Sequence, residues 1–503
     1  MPTMRVSLLL SLVLLSSQAR SDVVLSALFQ DHLVLQRGRP VPIWGRADPG
    51  ETLTVRFHRQ TVSTTAPADG RWIVYLEALE ASREPAQLVV EGKNTVTVSD
   101  VVVGEVWLCS GQSNMEWPVA RADRAEAEMA AAKFPLLRHF KVARTVSDLP
   151  TDALAGSWVV ASPETVSGFT AVGYFFARDL HRKLGVPIGL INSSWGGTPI
   201  EAWMSPAALA SDPAFAVVAE RWKTALAEYP QRKAAHEKEL AEWTAEWEGA
   251  KAVGKPFTRR RPVAPPGPGD PDTPSGLFNG MINPVLPFAL RGTIWYQGEN
   301  NVGRASEYHA LFSAMITHWR AHFGQGDFPF YWVQLPNFRG SNAAGFSWAL
   351  LREAQSRTLV LPETGQVVTI DIGDPDNLHP GNKQEVGRRL ALIAKAQTYG
   401  FTSDYSGPVF ASAEREKSAL RVRFTHASNG LIARDRPLQS FEVAGADRVF
   451  HPASAAIDGE TLLVSAPEVR VPVAVRYAWR NAPDANLTNG AGLPASPFRS
   501  DTW

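Results

Sequence analysis

The alternation of hydrophobic and polar positions divides the chain into three parts. From 23 to 97, short runs with β-type alternation, such as Leu53, Val55 and Phe57, are interrupted by Pro-Gly and Asp-Gly turns. From 102 to 400, apolar strands alternate with amphipathic helices, which is typical of a parallel sheet. From 406 to 503 the β-type alternation returns. The pattern therefore predicts an α/β core between two small β domains.

The central part predicts individual elements. Apolar runs predict strands at VVVGEVWLCS, VPIGLINSS, RGTIWYQ, PFYWVQL and GQVVTIDIG, and amphipathic stretches predict helices at 174–185, 308–322, 348–358 and 383–397.

A polar helical insertion interrupts this alternation. We expect Pro230 to divide it into two helices and the Pro/Gly-rich tract at 259–274 to form a loop. Trp222, Trp243 and Trp247 recur at helical spacing, and we expect them to pack the insertion onto the core rather than to bind sugar.

The N-terminus has the layout of a secretory signal peptide. Arg5 precedes an apolar run at 6–15, and small and polar residues ending in Ser-Gln-Ala follow it. The run is shorter than the roughly 20 residues that a membrane span requires. We therefore expect a secreted or periplasmic protein. The predicted domains are a signal peptide at 1–21, a β-sandwich domain at 22–100, an α/β domain at 101–404 with its insertion at about 212–275, and a β domain at 405–503.

Composition narrows the function classes. The 503 residues carry 50 Lys+Arg and 50 Asp+Glu, so no overall charge attracts nucleic acid or an anionic membrane. The single cysteine, Cys109, excludes an intrachain disulfide framework and a cysteine-based zinc site. No H-E-x-x-H or similar spacing occurs, and we expect neither a metal nor a cofactor. The oligomeric state is not predicted.

Three polar segments directly follow apolar strands, where loops of a parallel sheet place ligands. In Cys109–Trp117, Gly111 permits a tight turn that exposes the Ser113 hydroxyl. In Asn192–Trp203, adjacent glycines expose backbone N–H groups towards an oxyanion, beside Trp195 as a pocket floor. In Trp295–Asn301, Gln297 and Asn300 offer neutral amide donors, which stabilise a developing oxyanion.

A fourth segment, 371–380, supplies a base. A serine nucleophile needs a group that accepts its proton, and histidine does this near neutral pH. Asp376 and His379 lie three residues apart in a predicted loop, where the carboxylate can hold the second ring nitrogen.

The blocks GQSNMEW, NSSWGGTPIEAW, IWYQGENN and DIGDPDNLHPGNK occur in this order. Together they resemble the sialate O-acetylesterase family of SGNH-type serine esterases, which is related to acetyl xylan esterases. The resemblance runs from about 102 to 400. It implies a flavodoxin-like, three-layer α/β/α core with a parallel sheet, flanked by N-terminal and C-terminal β-sandwich-type domains.

The resemblance also implies site roles. Ser113 matches the family's nucleophile, Gly197 or its neighbour Gly196 matches the backbone donor, and Asn300 matches the side-chain donor. Asp376 and His379 match the last block.

Three departures from the family pattern leave alternatives open. Gln112 precedes the serine where the superfamily commonly has Asp. Gln297 is able to share or replace the role of Asn300. Asp374 or Glu299 is able to orient the histidine in place of Asp376.

The hypothesis is a secreted serine esterase that removes O-acetyl groups from sialic acid or from acetylated xylan. A sialate carboxylate favours a basic residue in the site, such as Arg304 or Arg339. The alternatives are a non-catalytic carbohydrate-binding protein and a lipid or thioester hydrolase on the same core.

Overall fold

The structure is a computed structural model that describes residues 22–340, 345–427 and 429–503. The predicted signal peptide at 1–21 lies outside the described residues. Within the described ranges, no helix is both long enough and apolar enough to cross a membrane.

The chain begins with β-strands. They are β1 (Val24–Leu25), β2 (Val34–Gln36), β3 (Val41–Arg46), β4 (Thr52–Phe57), β5 (Gln60–Thr65), β6 (Arg71–Leu76), β7 (Ser82–Glu91) and β8 (Thr95–Gly111). Strands β1, β3 and β6 form one antiparallel sheet. A second group has the order β5-β4-β7-β8, in which β7 pairs with the first half of β8. Strand β8 continues without a break across residue 100, where the sequence predicts a domain boundary. One strand therefore belongs to both the N-terminal and the central part of the sheet.

The second half of β8 lies at the centre of a large mixed sheet. Its other strands are β9 (Phe134–Lys141), β10 (Trp158–Ala161), β11 (Ile188–Ser194), β12 (Gly292–Tyr296), β13 (Phe330–Val333) and β14 (Thr364–Val367). Their order is β10-β9-β11-β8-β12-β13-β14, and all neighbours are parallel except the edge strand β10. Gly111 lies opposite both Ser194 and Tyr296, so three adjacent strands end at one level.

Helices cover both faces of this sheet. The α-helices of the described residues are α1 (Ser113–Glu116), α2 (Ala125–Ala130), α3 (Ala171–Leu184), α4 (Pro206–Leu209), α5 (Ala216–Ala252), α6 (Ala305–Phe323), α7 (Ser347–Arg357) and α8 (Lys383–Ile393). Trp107 and Tyr331 pack with α3 and α8, whereas Trp295 and Trp332 pack with α6 and α7. Because side chains alternate along a strand, strands covered on both faces are apolar throughout, which is the pattern in the sequence.

The insertion differs from its prediction. Residues 216–252 form one continuous helix with Pro230 inside it, not two helices. Proline removes one N–H donor at a cost of about 3 kcal/mol, but Ala, Glu, Lys and Arg on both sides favour the helix. The prediction for two tryptophans is also wrong. The Trp243 ring packs on Phe257 and on Trp247, so these rings hold the helix against its own return segment and not against the core.

The C-terminal part consists of β-strands, as the alternation predicts, and they form an antiparallel sheet. They are β15 (Val409–Glu416), β16 (Ala419–Thr425), β17 (Leu431–Ala433), β18 (Phe441–Ala444), β19 (Phe450–Asp458), β20 (Thr461–Ser465), β21 (Ala474–Tyr477), β22 (Leu487–Asn489) and β23 (Phe498–Arg499). The main sheet has the order β15-β16-β20-β19-β18-β21-β23, and β17 pairs with β22. The buried side chains of this sheet form a cluster of their own, which also includes Ile370.

Candidate active site

Ser113 lies just beyond the end of β8, at the edge where three parallel strands end. Gly111 has φ of 129°, and a Cβ there would lie 2.2 Å from the Tyr296 carbonyl oxygen. Only glycine tolerates both the left-handed backbone and this close approach. The turn directs the chain into α1, whose first residue is Ser113. The sequence prediction of a tight turn at Gly111 is confirmed.

The structure brings Ser113 and His379 together across 266 residues of sequence. The His379 Nε2 atom lies 2.8 Å from the Ser113 Oγ, within hydrogen-bond distance. The imidazole stacks on Trp117, with ring centroids 4.9 Å apart and planes inclined by 16°. Burial lowers the pKa of His379, and the positive charges of Lys383 and Arg121 lower it further. The imidazole is therefore neutral near pH 7, as a proton acceptor must be.

Asp376 lies in the same loop but faces another partner. Its Oδ1 accepts a hydrogen bond of 2.9 Å from Arg339, and its side chain is 72% exposed. Among the described residues, no hydrogen bond joins Asp376 to the His379 ring. Asp374 accepts the Asp376 N–H at 2.9 Å and so shapes the loop, without a described hydrogen bond to the imidazole. Neither acid is therefore paired with His379 in this structure.

The glycine loop after β11 packs directly against Ser113. A Cβ on Gly196 would lie 3.0 Å from the Ser113 Cβ, and the Gly196 N–H donates to Glu116 Oε2 at 2.9 Å. Gly197 has φ of 85°, and no described residue accepts a hydrogen bond from its N–H. Of the two glycines, Gly197 therefore retains the free backbone donor. The Asn300 amide donates to the Gly197 carbonyl, which places Asn300 beside the same loop.

Gln297 does not fit the role of an oxyanion donor. Its side chain is fully buried, and its Nε2 donates to the Thr198 carbonyl at 3.1 Å and to Asn301 Oδ1 at 2.7 Å. Its Oε1 accepts the Tyr308 hydroxyl at 2.8 Å. Both amide hydrogens are therefore used inside the protein, and Gln297 ties two loops together. To share the role of Asn300, Gln297 would have to give up one of these hydrogen bonds.

Glu299 does not orient the histidine either. Its Oε1 accepts a 2.6 Å hydrogen bond from Asn114 Nδ2, while its Oε2 is buried without a hydrogen-bond partner. Burial raises the pKa of Glu299. The carboxyl group thus faces Asn114, the residue after Ser113, and no described hydrogen bond joins it to the His379 ring.

Asn114 and Lys383 complete a buried network that the sequence reasoning missed. Asn114 Nδ2 also donates to the Leu378 carbonyl at 3.1 Å, and Lys383 Nζ donates to Asn114 Oδ1 at 2.5 Å. Lys383 is 1% exposed, and burial lowers its pKa to about 7. Asn114 therefore connects the nucleophile turn to the backbone next to His379. Their positions in the sequence are the signal that could have identified them. Asn114 directly follows Ser113 in the first motif, and Lys383 lies four residues after His379 in the last.

The remaining predicted residues lie around this centre. Trp195 is partly buried, and the Arg144 guanidinium lies 5.2 Å from the centroid of its ring. Arg304 pairs with Glu201 at 2.9 Å, whereas Arg339 pairs with Asp376. Each of the two arginines suggested for a sialate carboxylate therefore already has a carboxylate partner within the protein.

Comparisons with known proteins add three findings. The sequence profile of a carbohydrate esterase family, sialic acid-specific acetylesterase, matches residues 103–235 and 276–395. The sialate O-acetylesterase of Rattus norvegicus is 31% identical over 98% of this chain and 96% of its own, and that of Homo sapiens is 29% identical over 91% and 88%. A crystal structure of a novel carbohydrate acetylesterase from Xanthomonas citri is 41% identical, with a TM-score of 0.82 over 96% of this chain and all of the other.

Proposed function

Because the chain belongs to the carbohydrate esterase family of sialic acid-specific acetylesterases, and is a carboxylic ester hydrolase, we propose that it is a secreted serine esterase that deacetylates carbohydrates through an acetyl-serine intermediate. The observation that carries this mechanism is the 2.8 Å contact between Ser113 Oγ and His379 Nε2. A non-catalytic carbohydrate-binding protein has no need for a serine hydroxyl poised on a neutral imidazole.

The proposed reaction begins with the Ser113 proton. His379 Nε2 accepts it while Oγ attacks the carbonyl carbon of the acetyl group. The N–H groups of Ser113 and Gly197 and the amide of Asn300 stabilise the tetrahedral oxyanion. The imidazolium then donates its proton to the departing sugar oxygen. Water, deprotonated by the same imidazole, attacks the acetyl-serine, and the imidazolium returns the proton to Ser113 Oγ as acetate is released.

Asp376 is the proposed orienting acid, on the strength of the Asp-x-x-His spacing. Its carboxylate lies on Arg339, so this role requires the pair to open and the carboxylate to turn to Nδ1 of His379. Both members of the pair are more than half exposed, which keeps the cost of opening low.

We further propose an SGNH-type, three-layer core at 101–404 with its insertion at about 212–275, a signal peptide at 1–21, and flanking β domains at 22–100 and 405–503. The matched segments 103–235 and 276–395 fall inside the proposed core, and the interval between them falls inside the insertion. This agreement supports the extent of the core and the end of the insertion at about 275.

The experiment that tests the proposal measures acetate release from O-acetylated sialic acid and from acetylated xylo-oligosaccharide. We expect Ser113→Ala to abolish release from both substrates. Ser110→Ala is the matched control, because the Ser110 hydroxyl is buried without a partner three residues before the nucleophile, and this variant should retain activity. Activity that survives in Ser113→Ala contradicts the serine mechanism.

The same assay separates the remaining alternatives. The substrate that reacts faster identifies the preferred sugar. Strict preference for acetate over longer acyl chains on p-nitrophenyl esters supports the deacetylase, whereas preference for long chains favours a lipid or thioester hydrolase.

A further inference from the structure

A groove of about 350 Å³ runs between α5 and the loops that follow β11 and β12. One wall is the first half of α5, which contributes Trp222 and Arg232. The other wall includes Arg304, and Asp272 comes from the Pro/Gly-rich return segment of the insertion. The mechanism above uses none of these four side chains.

The groove is continuous with the proposed site of reaction. Asn300 lines it, and the same side chain donates to the Gly197 carbonyl in the loop packed on Ser113. An acetylated sugar with its carbonyl at Asn300 therefore has the groove next to it. In an oligosaccharide, the sugar ring linked to the acetylated one would lie along α5.

The walls offer the groups that recognise a sugar ring. Trp222 is partly exposed, and an indole face packs on the apolar face of a pyranose ring. No described residue donates a hydrogen bond to the Asp272 carboxylate, which leaves both oxygens able to accept from hydroxyl groups.

The charges of the groove favour a neutral sugar over an acidic one. Arg304 lies 2.9 Å from Glu201, and Arg232 lies 3.8 Å from Glu228. The third lining arginine, Arg221, forms a bidentate ion pair with Glu307, with distances of 2.8 Å and 2.9 Å.

Asp272, by contrast, forms no ion pair with any described residue. Burial raises its pKa to about 7, and the negative charges of Asp270 and Glu201 add to the effect. Every lining arginine thus has a carboxylate partner. The carboxylate of an acidic sugar would therefore find no free arginine in the groove and would be repelled by the negative charge of Asp272.

Part of this wall is also outside the family profile. The profile matches up to residue 235 and resumes at 276, so Asp272 and the return segment belong to the unmatched interval. Trp222, in contrast, lies within the matched part. A side chain from an unmatched insertion next to a matched site is well placed to set the substrate preference of this chain.

We infer that the groove is a subsite for a neutral sugar ring adjoining the acetylated one, with Trp222 and Asp272 as specificity-determining residues. The inference rests on the proposed function, because it takes Asn300 as the meeting point of groove and reaction site. It implies that an oligosaccharide chain is a better substrate than a single acetylated sugar.

The first test compares two tryptophans on one helix. Trp222→Ala is expected to lower kcat/KM for acetylated xylo-oligosaccharide about tenfold, the effect of losing one aromatic contact, and to leave p-nitrophenyl acetate unchanged. Trp247→Ala is the matched control, because Trp247 lies on α5 but stacks on Trp243 outside the groove. An equal loss on both substrates, or no loss on the oligosaccharide, overturns the inference.

The second test uses the charge of Asp272. Asp272→Asn keeps the shape of the side chain but removes the negative charge that Asp272 carries above its pKa of about 7, so both substrates are assayed well above pH 7. We expect the ratio of kcat/KM for O-acetylated sialic acid to that for acetylated xylo-oligosaccharide to rise severalfold. An unchanged ratio overturns the assignment of Asp272.

A binding measurement separates failure of the subsite from failure of the proposed chemistry. Calorimetric titration of Ser113→Ala protein with unacetylated xylohexaose requires no reaction. We expect binding that weakens about tenfold when Trp222→Ala is added and stays the same when Trp247→Ala is added. Absence of binding to Ser113→Ala protein overturns the subsite, whereas activity retained by Ser113→Ala contradicts only the nucleophile.

Discussion

The two sides of His379 are held in different ways. Towards Ser113 the neighbours are buried: Asn114 is inaccessible to solvent and Lys383 almost so, and both take part in one hydrogen-bonded network. Towards Asp376 the neighbours are exposed, with 72% of the Asp376 side chain and 57% of the Arg339 side chain in contact with solvent. Buried polar groups are costly to leave unpaired, whereas an exposed ion pair contributes about 0–1 kcal/mol. The position of the imidazole therefore depends mainly on the buried side.

The amide of Asn114 explains how the buried side keeps its geometry. Its oxygen accepts from the Lys383 ammonium, and its nitrogen donates to the Glu299 carboxyl. A flipped amide would place oxygen against oxygen and nitrogen against nitrogen. The same nitrogen holds the Leu378 carbonyl, next to His379 in the chain. The network therefore couples the two loops that carry Ser113 and His379.

The largest effect is expected from Asn114→Asp. The change replaces the amide donor with a carboxylate oxygen beside Glu299 and leaves the Leu378 carbonyl without its donor. We expect kcat to fall about 100-fold while KM changes little, because a small displacement of the base costs this much in rate.

The control for this prediction is Asn382→Asp. Asn382 caps α8 by accepting the Glu385 N–H at 3.1 Å, and aspartate caps a helix equally well. Circular dichroism checks that both variants are folded. Full activity in Asn114→Asp would show that the network does not position the His379 loop.

How well the sequence predicted the molecule depends on the range of the interactions involved. The strands and helices of the core follow from local periodicity, and the meeting of Ser113 with the neighbouring loops follows from strand ends that lie at one edge. The hydrogen-bond partners of Gln297 and Glu299 do not follow from local periodicity, because distant segments of the chain contribute them. An amide in a motif looks the same in sequence whether it faces substrate or, like Gln297, bonds to Thr198 at a separation of 99 residues.

The insertion was mispredicted for a different reason. A proline is a strong local signal, but its cost is offset when many favourable helical residues flank it, as they do around Pro230. The tryptophans of α5 have helical spacing, yet spacing alone does not say whether a ring meets the core, the return segment or a groove.

A smaller effect is expected from Asp376→Asn on the exposed side. Because Asp376 has to leave Arg339 before it reaches His379 and water screens the carboxylate there, we expect kcat/KM to fall about tenfold. Asp374→Asn, in the same loop, keeps an oxygen that accepts the Asp376 N–H and serves as the control. A loss of a thousandfold or more in Asp376→Asn would mean that the carboxylate holds the imidazole as firmly as the buried network does, and the contrast between the two sides would disappear. No loss at all would contradict the proposed role of Asp376.

The smallest expected effect is a shift in the pH profile on replacing Lys383 with Met. His379 must be neutral to accept the Ser113 proton, so kcat/KM falls as the pH drops through the pKa of His379. The positive charge of Lys383 is one cause of the lowered pKa of His379. Without that charge the pKa of His379 rises, and the acid limb of the profile moves to higher pH.

The shape of the profile distinguishes this charge effect from the lost hydrogen bond to Asn114. The lost bond lowers activity at every pH, whereas the lost charge lowers it further only on the acid side. The pKa of Lys383 itself is about 7, because burial outweighs the opposing charges of Glu299 and Asp123, so its charge acts mainly below neutrality. Lys395→Met is the control, since Lys395 pairs with Asp179 at 2.7 Å and does not contribute to the pKa shift of His379. An acid limb that stays in place in Lys383→Met would leave burial and Arg121 as the causes of the lowered pKa and reduce Lys383 to a structural partner of Asn114.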